Sequence, residues 1–279
     1  MCRDCGCSNN ADIRFDGKQL FQPVTTPPEI TLTRSHQAQP KATLSAAQSH
    51  AAVHGDTSTE LLKLEVDLLA KNNDQAAINR RQLSAAGILS LNMLSSPGSG
   101  KTTLLERTIA DLGQQAQIFV VEGDQETERD AARIRQAGAT AVQVNTGSGC
   151  HLEADMLAKA IALLQPSRDA ILFIENVGNL VCPALFDLGE GQRVVMLSVT
   201  EGDDKPVKYP TMFNRADLVI INKVDLLPYV DFDLQRCVRE AQTLNPKAAI
   251  IALSASSGEG LQAWYDWLWQ QKAALGAAC

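Results

Sequence analysis

Ser95-Ser96-Pro97-Gly98-Ser99-Gly100-Lys101-Thr102-Thr103 combines two glycines, one lysine and several hydroxyls in a short run. Those residue types at that spacing suit phosphate. Glycine lets backbone N–H groups converge on phosphate oxygens, and the helix that opens with Lys101 adds a favourable dipole. Lys101 is expected to reach the β- and γ-phosphates, with the Thr102 hydroxyl on Mg²⁺. Gly98, Ser99, Gly100 and Thr103 complete the cradle. The first glycine of the usual G-x-x-x-x-G-K-S/T pattern is Ser95 in this chain.

Asn222-Lys223-Val224-Asp225 follows an apolar strand and implies the base. A carboxylate at Asp225 can accept from guanine N1–H and its 2-amino group, whereas adenine would leave it unpaired. An unpaired buried acceptor costs roughly 1–3 kcal/mol, more when charged, so GTP and GDP are the expected ligands. Ser254-Ala255, at the end of a later strand, forms another wall. Between these motifs Asp124 and Glu175 each end an apolar strand, where they can hold Mg²⁺ or orient the attacking water. Helix capping or strand-end solvation is the plainer role for each. Gly178 offers a backbone hinge facing the γ-phosphate.

Sulfur adds a second chemistry. Cys150-His151 precedes a helical pattern, and Cys182 lies four residues past Gly178. Thiolate plus imidazole suits Zn²⁺ or Ni²⁺, and three protein ligands leave a position open, which favours transfer over permanent structure. The same residues also fit two small apolar thiols and a polar helix start. Cys2, Cys5 and Cys7 crowd the amino terminus around Gly6. They can wrap a small ion and, with a free amine at Cys2, approach the square-planar N/S set that nickel accepts; an exposed redox pair is the alternative. Cys237, Cys279 and the scattered His36, His50 and His54 have no evident ligand partners.

These residues need elements to position them. The 279 residues carry 45% apolar side chains, enough for one substantial domain with appendages. A net charge of −7 without Lys/Arg clusters argues against nucleic-acid binding. No apolar run reaches the roughly 18 residues that span a bilayer, and no signal-peptide stretch is evident, so a cytoplasmic protein with no membrane partner is expected. Residues 1–7 form the cysteine motif, and 8–56, rich in Gln, Ala, Thr, Ser and Pro, form a linker. Residues 57–86 form a long helix, and 87–279 alternate strands with helices. Strands are expected at 88–94, 117–121, 141–144, 170–174, 193–199, 218–221 and 248–253. Helices are expected near 101–112, 126–137, 152–164, 231–243 and 259–275. The fold class is α/β: a P-loop domain with a mostly parallel sheet and helices on both faces.

Taken together, Cys2-x-x-Cys5-Gly6-Cys7, the loop from Ser95 to Thr103, Glu122-Gly123-Asp124-Gln125, Gly149-Cys150-His151-Leu152, Glu175-Asn176-Val177-Gly178-Asn179-Leu180-Val181-Cys182-Pro183 and Asn222-Lys223-Val224-Asp225 resemble the HypB family. That family comprises the nickel-insertion GTPases of nickel-iron hydrogenase maturation. The resemblance spans about residue 60 onward plus the terminal motif. It implies a tight nickel site at Cys2, Cys5 and Cys7 and a weaker nickel or zinc site at Cys150, His151 and Cys182. It further implies slow GTP hydrolysis, a GTP-favoured homodimer, partnership with a HypA-type metallochaperone, and an indirect partnership with the hydrogenase large-subunit precursor. The chain lacks the long His-rich tract of some relatives, which favours delivery over storage. The urease accessory GTPases look similar in the nucleotide loops but carry Cys-Pro-His, where this chain has Cys182-Pro183-Ala184.

Overall fold

A computed structural model describes residues 12–15, 18–19, 56–124, 129–147 and 149–277, with the side chains of the first helix described from residue 67. Cys2, Cys5, Cys7, Cys279, His36, His50, His54 and most of the 8–56 segment lie outside the described residues. In chain order the elements are β1 (Asp12–Phe15), β2 (Lys18–Gln19), α1 (Asp56–Ala85), β3 (Leu89–Ser95), α2 (Lys101–Leu112), β4 (Ile118–Asp124), α3 (Arg129–Gln136) and β5 (Thr140–Asn145). They continue with α4 (Ala154–Leu164), β6 (Ile171–Glu175), β7 (Gln192–Ser198), α5 (Lys205–Lys208), α6 (Pro210–Asn214), β8 (Leu218–Asn222), α7 (Leu234–Leu244), β9 (Ala249–Ala252) and α8 (Leu261–Ala277).

The sheet runs β2-β1-β5-β4-β6-β3-β7-β8-β9. Strands β3 to β9 pair in parallel throughout. Residues of β3, β6 and β8 are buried without interruption, because helices cover both faces and leave no side of those strands to water. One surprise falls inside the segment expected to be linker. There β1 pairs antiparallel with β5, the last parallel strand on that side, Asp12 opposite Asn145, and β2 folds back onto β1.

On one face, Trp264 and Trp267 of α8 stack at 5.8 Å, and the Trp264 indole N–H donates to Thr108 Oγ1 at 2.9 Å. That bond satisfies the polar atoms of a wholly buried indole and ties α8 to α2, the helix that follows the phosphate loop. On the other face, α1 is pinned by two asparagines. Asn79 donates to the carbonyls of Ala154 and Leu188 at 2.8 and 2.9 Å, while Asn72 Oδ1 accepts from Ala154 N–H at 2.9 Å. The long helix thereby caps the start of α4 and fixes the segment just after Cys150-His151.

Among the described residues no helix is long and apolar enough to cross a membrane.

Candidate functional site

Parallel sheets of this kind present ligands at the carboxyl ends of their strands, where chain direction and strand order diverge. The loops leaving β3, β4 and β6 enclose a cleft of about 520 Å³ at that edge. Gly98, Ser99, Gly100, Lys101, Thr102, Thr103, Asp124 and Glu175 all line it, as do Gly178 and Lys223.

Gly100 sits at φ +100°, and an added Cβ would fall 2.5 Å from Asn222 Nδ2. Glycine there is demanded by backbone and by space. The asparagine responsible links three loops: Asn222 Nδ2 donates to Ser99 O at 2.8 Å, and its Oδ1 accepts from Ala255 N–H at 3.1 Å. Lys223, in the left-handed region at φ 64°, extends its ammonium to Gly98 O at 2.7 Å. Two residues chosen for the base therefore also brace the phosphate loop. Asp225, Ser254 and Ala255 do not line the cleft itself. Asn222 does not line it either but accepts from the Ala255 amide, and Asp225 keeps one buried carboxylate oxygen without a partner.

Lys101 Nζ is buried and donates to Ser95 Oγ at 2.7 Å. Here the departure from the usual glycine gains a physical role, because the Ser95 hydroxyl holds the ammonium at the mouth of the loop. Burial lowers the Lys101 pKa, against the raising effect of Glu175 and Glu122. Thr102 Oγ1 donates to Glu175 Oε1 at 2.8 Å. Glu175 is held above the ordinary carboxylate range, chiefly by burial, with Lys101 and the Thr102 bond opposing.

The acid that sequence reasoning passed over is Glu122. It shares a face of β4 with Asp124, two residues on, and stands directly opposite Glu175 in the strand pairing. Its alternation with Asp124 was the available signal. Burial first, then Glu175 and Asp124, push its pKa to about 9. Glu122 and Glu175 each carry a buried carboxylate oxygen with no partner. Unpaired buried acceptors beside a threonine hydroxyl fit a hard divalent cation with oxygen ligands, as Mg²⁺ requires.

Glu122 therefore makes the metal-free protein pH-sensitive. A carboxyl raised from 4.5 to about 9 keeps its proton in the folded state while the unfolded chain has lost it. Its stabilising contribution is complete below about 4.5 and is lost as pH rises towards 9. Thermal melts without nucleotide or divalent cation are expected to drop in midpoint from pH 6 to pH 9, and to drop less for Glu122→Gln. Parallel curves for the two proteins would remove Glu122 as the cause.

Beyond Glu175 the chain passes Val177 and Gly178. A Cβ on Gly178 would lie 3.0 Å from Pro97 Cα, so this loop packs directly on the phosphate loop. Four residues later Cys182 opens a short 3-10 turn, Cys182–Ala184. Its ligand atom and those of Cys150 and His151 all lie within 4.8 Å of one another. Cys150 Sγ is 3.7 Å from His151 Nδ1. His151 is buried and stacks on Phe186 at 3.8 Å between ring centroids, and its Nε2 has no partner. Burial depresses its pKa to about 4, so the imidazole is neutral and retains a lone pair. Both thiols are half-exposed rather than buried, unlike core cysteine. Cys237 of α7 is buried, its thiol pushed up to about 12, and stands apart from this cluster.

The CobW/HypB/UreG nucleotide-binding domain matches residues 89–252. The hydrogenase maturation factor HypB of Rhizobium leguminosarum bv. viciae is 52% identical, over 96% of this chain and 95% of its own. The chain belongs to the HypB family. The Escherichia coli HypB is 46% identical, covering 98% of this chain and all of that one. Among solved structures, HypB from Archaeoglobus fulgidus superposes with a TM-score of 0.69 at 42% identity, covering 73% of this chain and 100% of that one. HypB from Helicobacter pylori in complex with nickel gives 0.68 at 44%, covering 73% of this chain and 95% of that one. HypB membership agrees with the resemblance read from the motifs, and the nucleotide-binding domain coincides with the sheet and cleft described above.

Proposed function

We propose that this chain is a GTP-hydrolysing nickel metallochaperone acting in maturation of nickel-iron hydrogenase, with metal transfer coupled to nucleotide state. One observation carries the reading. The loop after β6 lines the phosphate cleft with Gly178 and four residues later carries Cys182, whose ligand atom clusters with those of Cys150 and His151 on the loop after β5. The nickel-bound Helicobacter pylori relative supports nickel as the cargo, with Zn²⁺ as a competitor for the same donors.

Lys101 would leave Ser95 for the β- and γ-phosphates, while backbone N–H groups from Gly98 to Thr103 bind the remaining oxygens. Thr102 and Glu175, with Asp124, would hold Mg²⁺, which neutralises charge on the phosphates when bound. Asp124 would orient the attacking water, and Gly178 would approach the γ-phosphate through its backbone. Asp225, with Asn222 and Lys223 bracing the loop and Ser254-Ala255 behind them, would select guanine. Cys2, Cys5 and Cys7 would hold nickel at the amino end and the triad would receive or release it. A GTP-favoured homodimer in the cytoplasm, a HypA-type metallochaperone and, indirectly, the hydrogenase large-subunit precursor complete the assignment.

Metal affinity at the triad should then depend on the nucleotide, and by linkage the reverse must hold. With Cys2, Cys5 and Cys7 changed to alanine, nickel affinity is expected to differ by at least about fivefold between GDP and a non-hydrolysable GTP analogue. Indistinguishable affinities would sink the coupling.

A further inference from the structure

We propose that Asn176 is a positioning residue that ties the metal ligands to the phosphate-facing loop through one buried side-chain oxygen. The inference rests on the nucleotide-coupled reading above and names the atoms that carry it. Asn176 is 2% exposed and follows Glu175 at the carboxyl end of β6. Its Oδ1 accepts two backbone N–H groups, from Val177 at 3.0 Å and from Leu152 at 3.2 Å. Val177 adjoins Gly178, and Leu152 adjoins His151. The two loops therefore meet on a single atom.

The orientation of this amide follows from its partners. Two N–H donors converge on one side-chain atom, which must be the oxygen. Nδ2 is then left to donate, and it does so to Asn92 Oδ1 at 3.2 Å. Asn92 in turn donates to Glu190 Oε1 at 3.2 Å, and that oxygen also accepts from Arg193 Nε and NH2 at 3.0 and 2.7 Å. Every bond in the series has one allowed direction, and burial keeps water from replacing any of them.

Arg193 closes the circuit on the other side of the metal triad. Its guanidinium donates to the carbonyls of Ala184 and Phe186, each at 3.4 Å. Ala184 ends the turn that Cys182 begins, and Phe186 is the ring stacked on His151. A shift of Val177-Gly178 towards a γ-phosphate would redirect Asn176 Oδ1 and alter its hold on Leu152, moving His151 relative to Cys182. Scaffolding alone would make Asn176 important for stability without making metal affinity depend on the nucleotide.

The test separates those roles. In the Cys2→Ala, Cys5→Ala, Cys7→Ala chain, Ni²⁺ affinity is measured with GDP and with a non-hydrolysable GTP analogue, before and after Asn176→Ala. The parent is expected to show a ratio of at least about fivefold, and Asn176→Ala to bring it close to one while both nucleotides still bind. A parent without nucleotide dependence defeats the function proposed above. A parent with it, matched by an Asn176→Ala ratio that is unchanged, overturns the role of Asn176 alone. Should the alanine variant fail to fold, hydrogen exchange at the Leu152 amide of the unaltered chain gives the answer. Protection that changes between GDP and the analogue supports the assignment, and protection indifferent to nucleotide overturns it.

Discussion

Lys101→Ala is expected to reduce GTP hydrolysis by at least about 10²-fold, the usual effect of deleting one preorganised charge donor from a transition state. The ammonium is buried between Ser95 and two carboxylates, so it is already desolvated when it meets phosphate. Its single bond to a neutral hydroxyl is readily exchanged for a stronger one to an anion. Removing it also takes away the positive charge that lowers the pKa of both Glu122 and Glu175. Lys101→Met keeps the apolar stem and distinguishes lost packing from lost charge. Hydrolysis by either variant within about tenfold of the parent would refute the assignment. In cells at limiting nickel the same change discriminates two functions: a passive metal buffer would still support hydrogenase maturation, and a nucleotide-driven switch would not.

The sheet was legible because parallel strands buried on both faces are rich in apolar residues, and seven such runs stand out between helical patterns even where buried polar residues such as Ser90, Asn92 and Gln143 interrupt them. Strands β3 to β9 fall within a residue or three of the expected spans. Two short helices, α5 and α6, escaped notice since Lys205–Lys208 and Pro210–Asn214 are each little more than a turn, too short for a 3.6-residue period to register. The β1–β2 hairpin also escaped. Its four- and two-residue strands sit in a polar segment whose composition gives no sustained alternation. Chemistry concentrated in motifs is likewise readable: loop position alone leaves Cys150, His151 and Cys182 open between a metal site and incidental packing, the family resemblance favours the metal site, and their ligand atoms lie within 4.8 Å of one another. Glu122 and Asn176 were not, because their importance arises from neighbours 24 to 84 residues away, Glu175 opposite Glu122 and Leu152 and Asn92 on the Asn176 amide, and Arg193 gains its own only where the fold brings Asn92 onto Glu190. A pattern search sees spacing along the chain, whereas buried acids and amides acquire meaning from what lies across the sheet.

Asp225→Asn should exchange base preference, lowering kcat/KM for GTP by at least about 10²-fold while xanthosine triphosphate becomes the better substrate. The carboxylate is positioned by backbone bonds on either side: Val224 N–H donates to Leu253 O at 3.3 Å and Leu226 N–H to Lys223 O at 2.9 Å. Asn222, three residues earlier, fixes the phosphate loop and the Ala255 amide to the same corner. A base reaching Asp225 thus meets an acceptor that needs little reorganisation. Guanine presents two donors, N1–H and the 2-amino group, to its two oxygens. An asparagine there puts an NH₂ donor against one of those donors and removes the charge that strengthened both bonds. Xanthine carries an oxygen in place of the 2-amino group and restores a donor–acceptor pair with the same side chain. Adenosine triphosphate gains nothing from the change and serves as the control. Retained preference of Asp225→Asn for GTP over both competitors would show that another residue selects the base, and Ser254-Ala255 would be the next place to look.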